Sequence, residues 1–334
     1  MDPQEVNLTL SIIIPTYNRS ASLARLLARL NQQSYPVDYW EVVVVDDGSN
    51  DPGYPEVLNN VFKYPLIHFI QDHQGAVAAR NLGALHSQAD ILVFLDDDVI
   101  VEPGYLEGLV QAHTLHSKVI VMGVFRPYLT PQAGPFLNAV FRSGVTQIEY
   151  LSEQNVDFYQ CVSHNLSIKR DHFFEIGMFQ DPTERRGWPN WDDIDLAYRA
   201  YKEGFLFLQV LDAEGSHIDH VLNDFQLHCK RIYEAGRSAY WLFKKYPELR
   251  YQLPMFRDKN PINLSNDSPM LVLRKITRAF LAWTPVLNAM EIFRKWLEQN
   301  TPNSLFLLHV YRLINSSYIF RGYRVGLSEN REIL

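Results

Sequence analysis

Three acidic clusters stand where carboxylates could do chemistry, and the sharpest is Asp96-Asp97-Asp98, directly after the apolar run Ile91–Leu95. Two carboxylates about 5 Å apart repel by roughly 3 kcal/mol at an effective dielectric constant near 20. A chain would not keep them at a buried strand end without compensation. Side-chain alternation predicts Asp96 and Asp98 on one side of the strand and Asp97 on the other. Oxygen ligands of this kind suit Mg²⁺ or Mn²⁺. The alternative interpretation is a solvated acidic turn.

A second acidic pair, Asp46-Asp47, ends the apolar run Glu41–Val45 and leads into Gly48 and Ser49. Gly48 permits a tight turn, and a carboxylate beside such a turn could accept hydrogen bonds from a nucleotide base or ribose. The same residues are also ordinary turn chemistry. Their place at a second strand end of the same predicted sheet favours the binding interpretation.

The third cluster consists of Asp192, Asp193 and Asp195, and the loop before it carries Trp188 and Trp191. A carboxylate in the first turn of a helix is favoured by the helix dipole and by unpaired N–H groups, so capping accounts for one of these acids. Three acids within four residues exceed what a cap requires. An acid held near the tryptophans could act as a general base that deprotonates a hydroxyl nucleophile.

Short apolar runs alternate with helix-period segments in the first third of the chain, which is the pattern of strand, helix and parallel strand. Leucines on one helix face, from Leu23 to Leu30, predict a helix capped by Ser20 or Ser22. A sheet of this kind binds ligands beyond the carboxyl ends of its strands, where the acids lie. Weak periodicity predicts a connector over 130–159. The predicted strands are 8–14, 41–45, 66–70, 91–95 and 205–210, and the other predicted helices are 75–88, 105–116, 193–203 and 225–246.

Composition limits the class of protein. The chain has 334 residues, of which 47% are apolar, so it can build one large or two ordinary cores. Its formal net charge of −7 excludes bulk nucleic acid as a partner, since that would need a basic surface. Cys161 and Cys229 are the only cysteines, which indicates a reducing compartment and no disulfide framework. The first residues carry no apolar signal segment, so we expect the start of the chain to be cytoplasmic.

Taken in order, these motifs resemble those of the family 2 glycosyltransferases, which have the GT-A fold. The resemblance covers residues 9 to about 220. It implies an α/β fold with a Rossmann-like, mostly parallel sheet flanked by helices. The segments that carry it are 11–19 (SIIIPTYNR), 43–51 (VVVDDGSND), 80–83 (RNLG), 94–98 (FLDDD) and 191–196 (WDDIDL), supported by 165–170 and 177–181 (GMFQD).

The resemblance implies transfer of a sugar from a nucleotide diphosphate donor to an acceptor hydroxyl, with inversion at the anomeric carbon and Mg²⁺ or Mn²⁺ as cofactor. A UDP-sugar is the favoured donor, with GDP- and dTDP-sugars as alternatives. The expected acceptor is a glycan or a lipid-linked precursor in polysaccharide biosynthesis at the cell envelope. By the same analogy, the nucleotide-sugar site comprises Pro15, Thr16, Tyr17, Asn18, Arg19, Asp46, Asp47, Arg80, Asp96 and Asp97.

The resemblance also implies roles for the remaining candidates. Asp193 would be the general base, and Asp192 stands where the family often has Glu. Asp98 would bind the cation, Asp96 would approach the ribose or a metal-bound water, and His217 is preferred over His220 as a further ligand. The expected donor and acceptor pocket contains Asn165, Trp188 and Trp191.

For the domains, we expect a GT-A catalytic domain over 1–250, with a nucleotide-sugar part to about 125 and an acceptor part over 126–250, and a helical extension over 251–334. Residues 270–334 carry a net charge of +5, so the rest of the chain carries −12. The apolar and aromatic stretch 279–293 is too short to span a bilayer of about 30 Å. Its flanking cations are typical of a peripheral helix at the cytoplasmic membrane face. The alternatives are helices packed on the catalytic domain and a homodimer contact.

Two other functions compete with this prediction. A sugar-phosphate nucleotidyltransferase also combines a nucleotide-binding α/β sheet with Mg²⁺, but it usually opens with a glycine-rich phosphate loop, and residues 14–19 contain no glycine. A non-catalytic sugar-binding scaffold on the same fold is the second alternative. Substitution of the predicted base, Asp193, distinguishes the scaffold from an enzyme.

Overall fold

The structure is a computed structural model, and it describes residues 8–129, 133–145, 153–181 and 191–330. The chain divides into two compact units. The sheet unit takes its described residues from Met1–Tyr128, Ile148–Asp181 and Asp192–Ile218. The helical unit takes its described residues from Leu129–Gln147, Pro182–Trp191 and Asp219–Leu334. Among the described residues, no helix has the length and apolarity that crossing a membrane requires.

The described residues of the sheet unit form a nine-stranded mixed sheet in the order β3-β2-β1-β4-β8-β6-β9-β5, with β7 also paired to β9. The pairs β1–β2, β2–β3, β1–β4 and β6–β9 are parallel, and those of β8 with β4 and β6 are antiparallel. The strands are β1 Leu10–Thr16, β2 Trp40–Asp46, β3 Leu66–Ile70, β4 Ile91–Leu95, β5 Val99–Val101, β6 Val119–Pro127, β7 Glu153–Asn155, β8 Asn165–Lys169 and β9 Leu206–His217.

The predicted strands are confirmed as β1, β2, β3, β4 and β9. Every residue of β1 and β4 is buried, as continuous apolar runs require, whereas β3 is partly exposed. β9 is longer than predicted and extends to His217. The helices of this unit are α1 Ser20–Leu30, α2 Tyr54–Leu58, α3 Ala76–His86, α4 Tyr105–Leu115, α6 Arg170–Glu175 and α7 Asp192–Lys202.

The cap predicted for α1 is wrong. Arg19 precedes the helix and makes no side-chain cap, while Ser20 is the first helical residue. The Ser20 N–H instead donates to the Asp51 carboxylate at 2.9 Å. A side chain from another loop therefore satisfies the end of the helix, which local sequence cannot reveal.

The described part of the helical unit consists of α5 and α8 to α13. The connector predicted over 130–159 is wrong in part, because α5 lies within it. Its Phe136 packs with Phe225 and Tyr311 in an aromatic cluster that the local periodicity does not show. The helices are α5 Pro135–Val145, α8 Phe225–Lys245, α9 Leu249–Gln252, α10 Pro254–Arg257, α11 Pro269–Leu281, α12 Thr284–Asn300 and α13 Leu305–Glu329.

Helix α8 belongs to the helical unit, whereas the boundary expected at residue 250 assigned it to the catalytic domain. It packs along α13 so closely that the backbones of the two helices are in contact. A Cβ built on Gly322 would lie 1.9 Å from the Tyr233 carbonyl oxygen, and one on Gly236 would lie 2.4 Å from the Ile319 carbonyl oxygen. Glycine is required at both positions because no side chain fits between the helices.

Candidate active site

The acids Asp96, Asp97 and Asp98 occupy the turn between β4 and β5. The strand ends at Leu95, so the alternation expected for these side chains does not apply, because period-two geometry ends with the strand. Each acid has a different set of partners, described below. The turn therefore presents three carboxylates with three environments.

Asp97 contacts the last residue of β1 and the turn that follows it. Its carboxylate accepts a hydrogen bond from the Thr16 hydroxyl at 2.7 Å, and Nη1 of Arg19 donates to it at 3.2 Å. The same Nη1 donates to Asp98 at 2.8 Å. Burial raises the pKa of Asp97 to about 6, despite these favourable contacts. Arg19, whose side chain is half exposed, thus supplies the positive charge that offsets the crowded carboxylates.

Asp98 pairs with His217 from the end of β9, where Nε2 lies 3.1 Å from the carboxylate. His217 in turn stacks on His164, with ring centroids 4.5 Å apart. Burial opposes ionisation of Asp98, but the hydrogen bond and charge of His217, together with Arg19, hold its pKa below the ordinary value. Burial and the neighbouring His217 lower the pKa of His164 to about 4, so this imidazole is neutral at physiological pH. His220, the alternative ligand, begins a short turn of the helical unit.

Sequence reasoning missed His164. The signal that could have found it is the pairing of β4 with β8, in which Leu95 lies opposite Asn165. A residue just before β8 must then lie beside the turn just after β4, and the Asp96 N–H does donate to the His164 carbonyl oxygen at 3.3 Å. That pairing is antiparallel and long-range, so no local pattern marks it.

Arg80, on α3, joins two of the acidic clusters. Its Nη2 donates to Asp96 at 2.7 Å and its Nη1 to Asp192 at 3.3 Å. The Arg80 side chain is 6% exposed, and its Nε has no hydrogen-bond partner among the described residues. The guanidinium also lies 5.7 Å from the ring centroid of Phe179. One buried cation therefore fixes the start of α7 against the turn after β4.

Asp192 and Asp193 lie in the first turn of α7. Burial raises the pKa of Asp192, and the Arg80 charge opposes that rise. Burial, followed by the adjacent Asp192 carboxylate, raises the pKa of Asp193 to about 7. The Asp193 carboxylate accepts a hydrogen bond from the Ile194 N–H at 2.8 Å. Asp192 is thus tied to Arg80, whereas Asp193 can take up and release a proton near neutral pH.

Asp47 is tied to the loop before α3. Its carboxylate accepts hydrogen bonds from the backbone N–H groups of Gln74 and Gly75 at 2.8 Å each and from the Gln71 side chain at 2.7 Å. His73 lies 2.8 Å from the same carboxylate and stacks on Tyr17, with ring centroids 4.3 Å apart. Asp47 therefore orders a loop that carries a half-exposed aromatic stack.

The neighbouring turn residues brace the end of β1. Asn18, at φ 53°, receives the Asn50 N–H on its side-chain oxygen at 2.9 Å, and its own N–H donates to Ser49 at 2.8 Å. Asp46 accepts the Ser49 N–H at 2.9 Å, which is the turn chemistry named as the alternative for this acid. Pro15 lies within β1, in register with Val45 of β2.

Two residues expected in the donor and acceptor pocket, Asn165 and Trp191, form hydrogen bonds with other protein groups. Asn165 is buried, and its amide bonds the Tyr105 hydroxyl and both backbone groups of Gly123, at 2.7 to 3.1 Å. The Trp191 indole N–H donates to the Ala235 carbonyl oxygen at 3.1 Å within the helical unit. These contacts were invisible in the sequence because the partners come from distant segments. Trp188 lies outside the described residues.

Within the described residues, no three His, Cys, Asp or Glu side chains are arranged as a ready metal-ligand set. Asp96, expected to share a cation with Asp98, is paired with Arg80. What the structure brings together is one carboxylate and one imidazole, from Asp98 and His217.

The fold is shared with GT-A glycosyltransferases of known structure. The crystal structure of GalNAc-T7 with UDP, GalNAc and Mn²⁺ aligns with a TM-score of 0.52 at 16% identity, over 75% of this chain and 55% of that chain. The crystal structure of TarS from S. aureus aligns with a TM-score of 0.51 at 15% identity, over 96% of this chain and 55% of that chain. At these identities the similarity defines the class of fold.

Sequence comparison identifies the family. Residues 11–176 match the model of glycosyl transferase family 2. Validoxylamine A glucosyltransferase of Streptomyces hygroscopicus subsp. jinggangensis is 28% identical over 275 residues, which cover 73% of this chain and 62% of that protein. The chain thus spans about three fifths of the length of this relative. It belongs to glycosyl transferase family 2, as the ordered motifs predicted.

Proposed function

We propose that the chain transfers a glycosyl residue from a nucleoside diphosphate sugar to an acceptor hydroxyl, with inversion, and that Asp193 is the general base. The observation that carries this proposal is the Arg80 bridge between Asp96 and Asp192. It joins the acidic turn where a nucleotide-sugar would bind to the helix that carries a carboxylate with a pKa near 7. Donor site and base are thus parts of one ion-paired assembly.

The proposed base suits its task. A hydroxyl is a weak nucleophile near neutral pH, and a positioned carboxylate contributes about 10² to 10⁴ in rate when its pKa lies near the working pH. Asp193 satisfies this condition because burial and Asp192 raise its pKa to about 7. Asp192 cannot serve equally well, since it is neutralised by Arg80 at 3.3 Å.

The residues also fit a divalent cation. Asp98 is held ionised and His217 adds a nitrogen ligand, while Mg²⁺ and Mn²⁺ commonly take their remaining ligands from water and substrate phosphates. When bound, such a cation would stabilise the negative charge that gathers on the departing nucleoside diphosphate. Asp98 and His217 would hold it. Arg19, which already neutralises Asp98 at 2.8 Å, would contribute charge beside them.

For the donor and the acceptor, the proposal names chemical classes. A UDP-sugar is the first candidate donor, since UDP and Mn²⁺ were bound in the GalNAc-T7 structure. Candidate acceptors are a glycan and a lipid-linked precursor, with the protein acting at the cytoplasmic face of the membrane.

The decisive experiment measures thermal unfolding with UDP, GDP and dTDP, each with and without Mn²⁺. A ligand that binds only the folded protein stabilises it by mass action, by about 2.7 kcal/mol at one hundred times its Kd. We expect one nucleotide to raise the Tm, and to do so more strongly with Mn²⁺ in the wild type than in Asp98→Asn. A protein that no nucleotide stabilises, with or without Mn²⁺, would exclude the proposed donor site.

A further inference from the structure

Two helices of the helical unit expose apolar side chains and bury charged ones. We name this surface the α11–α12 face. On its α11 side, Met270, Leu273, Ile276 and Phe280 are 52% to 61% exposed. The remainder of the face consists of Trp283, Ile292, Phe293 and Trp296, which are 41% to 71% exposed. Spacings of three and four residues place the α11 set on one side of its helix. On α12, Ile292, Phe293 and Trp296 fall within about 100° of one another around the helix axis, and Trp283 is the residue that precedes α12.

The opposite sides of the same helices carry buried cations. Lys275 of α11 is 5% exposed and donates to Asp267 at 2.6 Å and to the Pro261 carbonyl oxygen at 2.9 Å. Arg294 of α12 is 4% exposed and forms ion pairs with Glu291 and Glu298. Exposed apolar patches of this extent are rare on proteins that have no partner at the patch. The buried residue of α11 is Lys275, whereas α12 buries Leu287 and Leu297 together with Arg294. The α11–α12 face leaves large apolar side chains in water, so it needs a second surface to cover it.

The charged residues around the α11–α12 face indicate what kind of surface would cover it. All five acidic side chains of 251–330, a fully described segment, form ion pairs: Asp258, Asp267, Glu291, Glu298 and Glu329. Arg274 and Lys295, which flank the apolar stripes, are exposed and have no ion-pair partner among the described residues. Arg312 of α13 is also exposed and has no ion-pair partner among the described residues. The face thus combines apolar and aromatic side chains with uncompensated positive charge.

We propose that the α11–α12 face binds the surface of an anionic lipid bilayer. Tryptophan and phenylalanine are favoured at the level of the headgroups, and the flanking cations would meet the acidic lipids. A second copy of the chain fits less well, because a two-fold contact would bring this face against itself with no free acid to match Arg274 and Lys295. The proposal is independent of the transferase chemistry.

The test is co-sedimentation of the full chain with vesicles of phosphatidylcholine alone or of phosphatidylcholine mixed with phosphatidylglycerol. We expect recovery with the mixed vesicles only, and less recovery as salt is raised. Trp283→Ser combined with Trp296→Ser should abolish binding without lowering the Tm, since both side chains are exposed. Arg274→Gln and Lys295→Gln should each weaken binding about fivefold, as expected for loss of one cation near an acidic surface.

The matched control is Val61→Ser with Lys63→Gln, which removes one exposed apolar side chain and one exposed cation from the sheet unit. It should bind vesicles as the wild type does. A full chain that stays in the supernatant with both kinds of vesicle overturns the proposal. So does a chain whose light scattering shows a dimer that the tryptophan variant dissociates while vesicles recover nothing. Equal binding to both vesicle types would overturn the assignment of anionic lipid.

Discussion

Replacing Asp193 by Asn should stabilise the protein above neutral pH while it slows transfer. The folded protein holds the Asp193 proton up to a pKa of about 7, whereas the unfolded chain releases it near 3.8. Between these values the folded state binds more protons than the unfolded state, so the free energy of unfolding falls as pH rises from about 4 to about 7. Asparagine cannot ionise, and its side-chain oxygen can still accept the Ile194 N–H. The free energy of unfolding of the variant should therefore not show this fall between about pH 4 and about pH 7.

The size of the effect follows from the two pKa values. A pKa that rises from 3.8 to about 7 corresponds to an upper limit of about 4 kcal/mol at pH 8, at 1.36 kcal/mol for each pH unit. Water reaches part of the Asp193 side chain and screens its charge, so we expect about 1 to 2 kcal/mol. That difference raises the Tm by a few degrees in a protein of this size.

The assay is thermal unfolding of wild type and Asp193→Asn at pH 8 and again near pH 4, where the advantage of the variant should vanish. Asp171→Asn is the matched control, because Asp171 also lies in a helix's first turn but its side chain is 89% exposed. The wild-type rate should fall about tenfold for each pH unit below 7, and the variant should be slower by about 10² to 10⁴ with a flat profile. Equal Tm values at pH 8, or a less stable variant, would refute the environment assigned to Asp193.

Three further substitutions test the contacts around the site and the packing of the helical unit. Arg80→Met leaves the carboxylates of Asp96 and Asp192 unpaired, so the free energy of unfolding measured in urea should fall by about 3 kcal/mol. Calorimetry should show that the variant no longer binds the nucleotide. Asn165→Ala should cost about 2 kcal/mol and leave the KM for the acceptor unchanged, since the amide binds only protein groups in the core; a selective rise in that KM would restore its expected pocket role. Gly322→Ala forces α8 and α13 apart and should lower the Tm by several degrees, whereas unchanged unfolding would contradict the close packing.

Much of the sheet could be predicted from the sequence, because a strand buried on both faces is apolar at every position, as β1 and β4 are. The acids at the ends of β2 and β4 could be located for the same reason, since they interrupt such runs. The helix α5 could not be predicted. Its core contact through Phe136 is made with α8 and α13, far along the chain, while its own sequence contains Gly144 and begins after Gly134.

The sequence by itself determined the family, through motifs whose order and spacing survive without knowledge of any contact. Only the tertiary structure decided which partner each charged side chain meets. Asp96 forms an ion pair with Arg80, whereas the sequence predicted that it would share a cation with Asp98. The unforeseen His164 stacks on His217, and Asn165 forms hydrogen bonds in the core. Those outcomes depend on pairings between distant strands and helices, and the charge state of a carboxylate follows from burial and neighbours that only such pairings supply. The basic, aromatic C-terminal segment was visible in the sequence, but which side of α11 and α12 is exposed depends on the tertiary packing that buries Lys275 and Arg294.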